Sequence, residues 1–494
     1  MAFRINWKEW GFCLALYSPV LVFYAAHFAA PVVIADAIPT GFVQYDQPYY
    51  MACARQYVDG ATNGLFYSSP FSAAEHPPNI YFQPQIALLG WLWSVFGRDP
   101  GMLFVLFGCV FGLLCVRTCL RVLDHLLPDT GKWRALIAIL FLWGGGIFFL
   151  LGSGFGLLHG AGLSEAWETA FRFDPEGGWW FLNLGRNLVY PLEAYYHFFF
   201  FSIVLAALRK KFVVVVMLSA LLAISQPFTG VATLLMLIAW TGIEALIAGK
   251  ERVRPWVPFA LIGVLALTLM YYMLFLPSDP EHRSLMEQWR LPWKEEGITI
   301  VGAYALVGAL VLVRIRKAAA LRSVLASSTQ RLLLVQALVW FALENHDVFI
   351  APVQPLHFTR GYTWSALFLL GAPTLLSALK SMHARPRTLV LRASMVIGLA
   401  VMLCDNATWL LVRANDNLHA RGESVCLARD QQQLFAWLTR EVPSGSLLVA
   451  QDPMTAYLAL VYTPHRAFYS HHSNTPLEGM DEMHFSDDKI PDFT

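Results

Sequence analysis

Apolar residues in this chain are gathered into long blocks, separated by short polar or charged connections. A first run covers 11–30, and further runs lie at about 80–97, 101–123, 134–158, 190–208, 212–226, 228–248, 256–276, 298–314, 332–351, 362–379 and 388–412. Most are of the length a helix needs to cross a hydrocarbon core of about 30 Å. The pattern predicts an all-α polytopic membrane helix bundle of about 11–13 spans.

Basic residues orient the bundle. Arg117 with Arg121, Arg209 to Lys211, Lys250 with Arg252 and Arg254, Arg314 to Lys317, and Lys380 with Arg385 and Arg387 mark every second connection, the cytoplasmic signature. Arg4 and Lys8 precede the first run, which is nearer spanning length than the core of a cleaved signal, so it is expected to be a retained helix with a cytoplasmic N-terminus. The connections 160–188, 226–229, 277–297 and 351–361, and the chain after Arg413, are then extracytoplasmic. One stretch conflicts with this order: a single span should link the outer loop 31–79 to the basic pair at Arg117, yet two apolar blocks intervene. The block 80–97, rich in Trp and bounded by Pro84 and Gly97, is expected not to cross fully.

Three regions lie outside the spans. The loop 31–79 contains 49–60, which suits a short amphipathic helix at the interface. The loop 160–188 carries Trp179-Trp180, residues of an interfacial belt. In the tail, a helix over 430–440, a strand over 446–450, a helix over 454–461 and a strand over 466–469 alternate, which predicts a small α/β cap. The expected organisation is a transmembrane domain over 1–412, with its long first extracytoplasmic loop at 31–79, and an extracytoplasmic α/β tail over 413–494.

Composition narrows the function. With 57% hydrophobic and 14% charged residues among 494, the chain is not a soluble enzyme, and a net charge of +1 supplies no field to gather nucleic acid. Seven cysteines show no metal or redox spacing. Cys109, Cys115 and Cys119 read as small core residues, whereas Cys53 and Cys426 lie outside the blocks and would pair only if their segments touch on an oxidising side.

The scarce polar groups on the outer side carry the candidate chemistry. Asp46 follows the first helix in the sequence GFVQYDQPYYMACARQYVDG. A carboxylate just above the membrane can hold a divalent cation or take a proton from an acceptor hydroxyl; alternatively it caps the helix that begins near Pro48. Asp46, Tyr49, Tyr50, Ala52, Arg55 and Gly60, in this order, resemble the first extracytoplasmic loop of the GT-C superfamily, polytopic glycosyltransferases that use polyprenyl-phosphate sugars, such as protein mannosyltransferases and aminoarabinose transferases. His76-Pro77-Pro78 and Pro84 resemble the Pro-containing end of that loop. Ser225-Gln226-Pro227-Phe228-Thr229-Gly230 is similar to a turn in uncharacterised bacterial members, and WLTREVPSGSLLVA and TPHRAFYSHHSNTP resemble the start of their extracytoplasmic tail.

The resemblance implies a GT-C-like fold and a membrane glycosyltransferase. It would move a sugar from a polyprenyl-phosphate donor to a lipid, glycan or protein acceptor at the extracytoplasmic face of the cell membrane, in a bacterium the inner membrane. Membrane lipids are its other expected partners, and nucleic acid is not one. Two departures stand out. Gln47 follows Asp46 where many members carry adjacent acids, so Glu75 or Asp174 would supply a second carboxylate, and Pro464 replaces the usual Gly. Arg360, with His357 beside it, is the candidate for the donor phosphate, the alternative being a guanidinium snorkelling into headgroups. A lone base such as Asp46, or Asp46 with a divalent cation, suits inverting transfer.

Tyr49, His76, Glu193 and His197 are candidate cavity-lining residues. Glu193 and His197 share a helix face, and a hydrogen-bonded packing pair is their alternative reading. Glu344, Asn345, His346 and Asp347 suggest a cavity mouth; His346 with Asp347 lacks a third metal ligand, and His471-His472 reads as surface. Two rival classes are a multi-pass transporter or flippase, which would show repeated halves that are not visible here, and a GT-C-like protein without catalysis.

Overall fold

The computed structural model describes residues 6–72, 76–162, 165, 169–175, 183–248, 254–288, 294–384, 389–422, 424–450 and 452–467. Glu75, Trp179-Trp180, His471-His472, and the basic residues Arg4, Lys250, Arg252, Arg385 and Arg387 lie outside the described residues.

Eight described helices are long and apolar enough to cross a membrane: Trp7–Phe28, Pro100–Leu126, Pro191–Leu208, Pro227–Ile247, Trp256–Ser278, Gly297–Ile315, Tyr362–His383 and Arg392–Leu418. Three begin on proline, whose missing N–H costs nothing in a first turn. Two further helix pairs are apolar enough only when taken together, and each is sharply bent. Gly131–Trp143 and Phe148–Leu158 meet at 60°, and Ala318–Ala326 and Ser328–Glu344 at 96°. The expectation of 11 to 13 crossings counted two shorter apolar helices as well. Pro84–Phe96 and Phe212–Ser225 have 13 and 14 residues, or about 20 Å at about 1.5 Å per residue, less than the hydrocarbon core. The polytopic helical fold stands, with 80–97 too short to cross fully and 134–158 broken in the middle.

The chain forms two compact units. The first comprises 1–23, 108–268 and 292–414, and the second 24–107, 269–291 and 415–494. The second unit thus joins the first outer loop to the tail. Strand Ile38–Pro39 pairs antiparallel with Cys426–Leu427, and Leu447–Leu448 pairs in parallel with Arg466–Ala467. Helices Arg429–Glu441 and Pro453–Tyr462 complete the α/β tail, and Asp452 caps the latter through the Thr455 N–H at 2.9 Å. The short helix expected over 49–60 is Gln47–Val58. Tyr457, fully buried, donates its hydroxyl to the Tyr45 carbonyl (3.1 Å) and accepts from the Tyr49 N–H (2.8 Å). All seven cysteines are free, so Cys53 and Cys426 do not pair.

Within the first unit, the break at 144–147 exposes backbone groups that a helix would satisfy internally. Two adjacent side chains from helix Leu389–Leu418 take them up. The Asp405 carboxylate accepts from the Phe148 and Phe149 N–H groups at 3.0 and 2.8 Å, and the Asn406 amide donates to the Trp143 and Gly144 carbonyls at 2.9 and 3.2 Å. The linker donates onward, Gly145 N–H to Met402 O and Ile147 N–H to Gly302 O, both at 2.7 Å. Gly146 must be glycine: a Cβ there would lie 1.8 Å from the Gly302 oxygen.

Asp405→Ala should strand the two N–H groups of Phe148 and Phe149 in an apolar interior, lowering stability by on the order of 3 kcal/mol. Denaturation of the detergent-solubilised chain measures this; an unchanged stability would mean the carboxylate does not hold the break.

Candidate functional site

In the first unit, helical turn Leu184–Asn187 carries Arg186, which is 1% exposed. Its guanidinium donates to the Asn406 side-chain oxygen at 2.9 Å and pairs with the Asp174 carboxylate. The same Asn406 that binds the broken helix therefore fixes the arginine, and the arginine fixes Asp174. One Asp174 oxygen is bound in this way, while the other has no hydrogen-bond partner among the described residues. Burial pushes this carboxyl up to about 6, against the lowering effect of Arg186.

Glu295, which the sequence reading passed over, stands just before helix Gly297–Ile315. It is buried, and neither carboxyl oxygen has a hydrogen-bond partner among the described residues. Burial, with the nearby charges of Asp174 and Asp347 adding to it, pushes this group up to about 8. A buried carboxyl with both oxygens unused is costly unless something binds it, so it marks a functional candidate. Only the sequence Lys-Glu-Glu-Gly before an apolar block announced it, and that reads as an ordinary solvated loop.

Arg360 is nearly buried and closely framed. Its side chain pairs with the Glu193 carboxylate, donates to the His357 carbonyl at 3.0 Å, and lies 3.2 Å from His357 Nδ1. His197 Nε2–H donates to the Arg360 carbonyl at 2.9 Å, since a carbonyl only accepts. His197 also stacks on Tyr362, with ring centroids 4.7 Å apart. Arg360 adopts φ +34° and Gly361 φ +71°, and a Cβ on Gly361 would lie 2.6 Å from the Asn183 carbonyl carbon. Burial and the neighbouring guanidinium hold the His357 imidazole well below its ordinary range. His357 thus offers Arg360 a lone pair and adds no positive charge. Arg360, Glu193, His197 and His357 come together, and a phosphate at Arg360 would share the guanidinium with Glu193.

The residues 344–347 face different partners. Glu344 accepts from the Tyr304 hydroxyl at 3.1 Å and Asp347 lies 4.0 Å from Lys294. His346 Nδ1 contacts the Leu343 carbonyl at 2.6 Å, and its Nε2 accepts from the Val353 N–H at 2.9 Å. With both ring nitrogens engaged, His346 has none left for a metal. No group of three or more His, Cys, Asp or Glu placed to hold a metal occurs among the described residues.

In the second unit, Asp46 sits at the N-terminus of helix Gln47–Val58 but makes no side-chain cap. Its own backbone is helical, with φ −76° and ψ −16°, instead of the extended form a capping side chain needs. Pro48 has no N–H to cap, and the Tyr49 N–H is taken by Tyr457. The capping reading therefore fails, and the carboxylate is half-buried. Tyr49 stacks on Phe71 at 5.5 Å, and His76 is an exposed residue lining a cavity in this unit.

No protein-family model and no curated protein matches the sequence. Solved structures do match the fold. The crystal structure of the Archaeoglobus fulgidus oligosaccharyltransferase in its apo form is similar with a TM-score of 0.50 and 10% identity, covering 92% of this chain and 65% of that one. The archaeal oligosaccharyltransferase AglB from Archaeoglobus fulgidus, in complex with an inhibitory peptide and a dolichol-phosphate, is similar with a TM-score of 0.50 and 11% identity, over the same shares. The chain thus spans 65% of the length of the structures it matches. At this identity the likeness concerns the fold: this is a polytopic helical membrane protein whose fold is similar to that of these oligosaccharyltransferases.

Proposed function

We propose that the chain is a glycosyltransferase that moves a sugar from a polyprenyl-phosphate donor to an acceptor at the extracytoplasmic face of a cell membrane. The GT-C-like fold supports the class, although a fold alone does not fix chemistry. The observation that carries the reading is Glu295, a buried carboxyl whose two oxygens have no hydrogen-bond partner among the described residues, within the field of Asp174. One of the similar structures holds a dolichol-phosphate and a peptide, a precedent for a lipid-phosphate ligand on this fold.

In this reading Asp46 takes the proton from the acceptor as its oxygen or nitrogen attacks the anomeric carbon. The bond from that carbon to the phosphate oxygen breaks, and polyprenyl phosphate leaves with the electron pair. Arg360 meets the donor phosphate, with His357 and Glu193 fixing its guanidinium. Glu75 remains a second candidate acid beside Asp46. Unused carboxylate oxygens on Asp174 and Glu295 suit a hard divalent cation of the kind held by one or two carboxylates together with substrate phosphate. Bound there, such an ion would neutralise charge on the donor phosphate.

Asp46→Asn should lower transfer from a polyprenyl-phosphate sugar by about 10²–10⁴-fold with an unchanged melting temperature. Transfer by this variant at the wild-type rate would remove Asp46 from the reaction.

Glu295 also predicts a pH dependence. Its folded-state value of about 8 lies above the ordinary 4.5. Its contribution to stability is therefore fully present below 4.5 and is lost as pH rises through about 8, because only the unfolded chain releases the proton freely. The melting temperature should fall across this window, Mn²⁺ should raise it more at the alkaline end, and Glu295→Gln should flatten both responses. A Glu295→Gln protein with the wild-type pH slope and Mn²⁺ response would contradict the assignment.

A further inference from the structure

The second unit contains a cavity of about 480 Å³ outside the groups assigned to transfer, formed by helix Gln47–Val58, the chain leading out of it, and the tail. This is within the range of small-molecule sites. Such sites are mostly apolar, but this wall is rich in hydrogen-bonding side chains, including Arg55, Asp59, Asn79, Ser444 and His465.

Two of its acceptors are unused. His465 is 5% exposed, and its Nε2 contacts the Leu438 carbonyl at 3.0 Å, so that nitrogen carries the proton. In the uncharged ring Nδ1 then keeps a lone pair, and it has no hydrogen-bond partner among the described residues. Asn79 donates its amide to the Ala61 carbonyl at 3.3 Å, which fixes the side chain, and leaves its buried oxygen without a partner among the described residues. Both atoms ask for donors. Arg55 cannot turn to either, because it is committed to Asp59 at 3.0 Å and to the Val461 carbonyl at 2.9 Å.

We propose that this cavity binds a saccharide unit. A pyranose presents several hydroxyls at fixed spacing, each able to donate to Asn79 or His465 while accepting from a wall hydroxyl such as that of Ser69. A fully ionised anion such as sulfate offers only acceptors, so it would leave both wall atoms as they are. The inference does not rest on the transfer reading, because binding is measured without turnover.

The test is ligand-observed NMR on the full chain in a sugar-free detergent, with glucose, N-acetylglucosamine and mannose as probes and sulfate as the comparison. At least one pyranose should bind at millimolar concentration, and Asn79→Leu should weaken it at least about tenfold. Ser444→Phe, at an exposed lining position, should abolish binding by filling the mouth while leaving the melting temperature within a few degrees of wild type. Absence of binding by all three sugars, binding unchanged in both variants, or sulfate alone binding with the same dependence on Asn79 would each overturn the proposal.

Discussion

A span interrupted in its middle survives only if the backbone groups released by the break find partners, because the surrounding medium offers none. Here Asp405 and Asn406 supply them from a single neighbouring helix. One side chain binds the N-terminal end of Phe148–Leu158, and the other binds the C-terminal end of Arg134–Trp143. The linkage does not stop at the break. Asn406 also orients Arg186, and Arg186 holds Asp174. A local repair of helix geometry thereby becomes the support for a buried candidate carboxylate, with Arg186 lying over Trp409 at 5.4 Å as a further restraint.

A second support follows the same logic at Arg360. A guanidinium buried without compensation would be very costly. Glu193 neutralises it, while His197, on the same helix one turn further on, holds the backbone of the loop through the Arg360 carbonyl. The two readings of Glu193 and His197 thus merge: they are a packing pair, and what they pack is the candidate phosphate-binding residue. The price is that Arg360 meets any incoming phosphate with a carboxylate already beside it.

Much of the scaffold was legible from residue order. Block length gave most of the spans, and helix and strand alternation gave the elements of the tail, whereas the parallel pairing of Leu447–Leu448 with Arg466–Ala467 had no sequence signal. What hydropathy averaging hides is a break satisfied from elsewhere. The block 134–158 stays apolar through Gly144-Gly145-Gly146, so only the three glycines hinted that the helix stops. The partners were equally quiet: Asp405 and Asn406 are two polar residues within a long apolar run, a pattern that marks a buried function more reliably than an isolated loop acid. Asp46 was legible as a special residue, but its backbone conformation, which excludes capping, was not. Glu295 was missed because burial, not residue type, makes it unusual.

The fold and the two buried supports are compatible with sugar transfer and also with movement of a lipid-linked sugar across the membrane, since bent helices occur in carriers too. The distinguishing event is cleavage of the bond between sugar and phosphate. The most direct measurement reconstitutes the wild-type chain in liposomes with a fluorescent polyprenyl-phosphate sugar and a divalent cation, and follows free polyprenyl phosphate by chromatography over time. The account predicts release in proportion to the amount of protein, with the sugar appearing on an acceptor. Donor that crosses between leaflets intact, or that stays unconsumed over a range of sugars and acceptors, would contradict it.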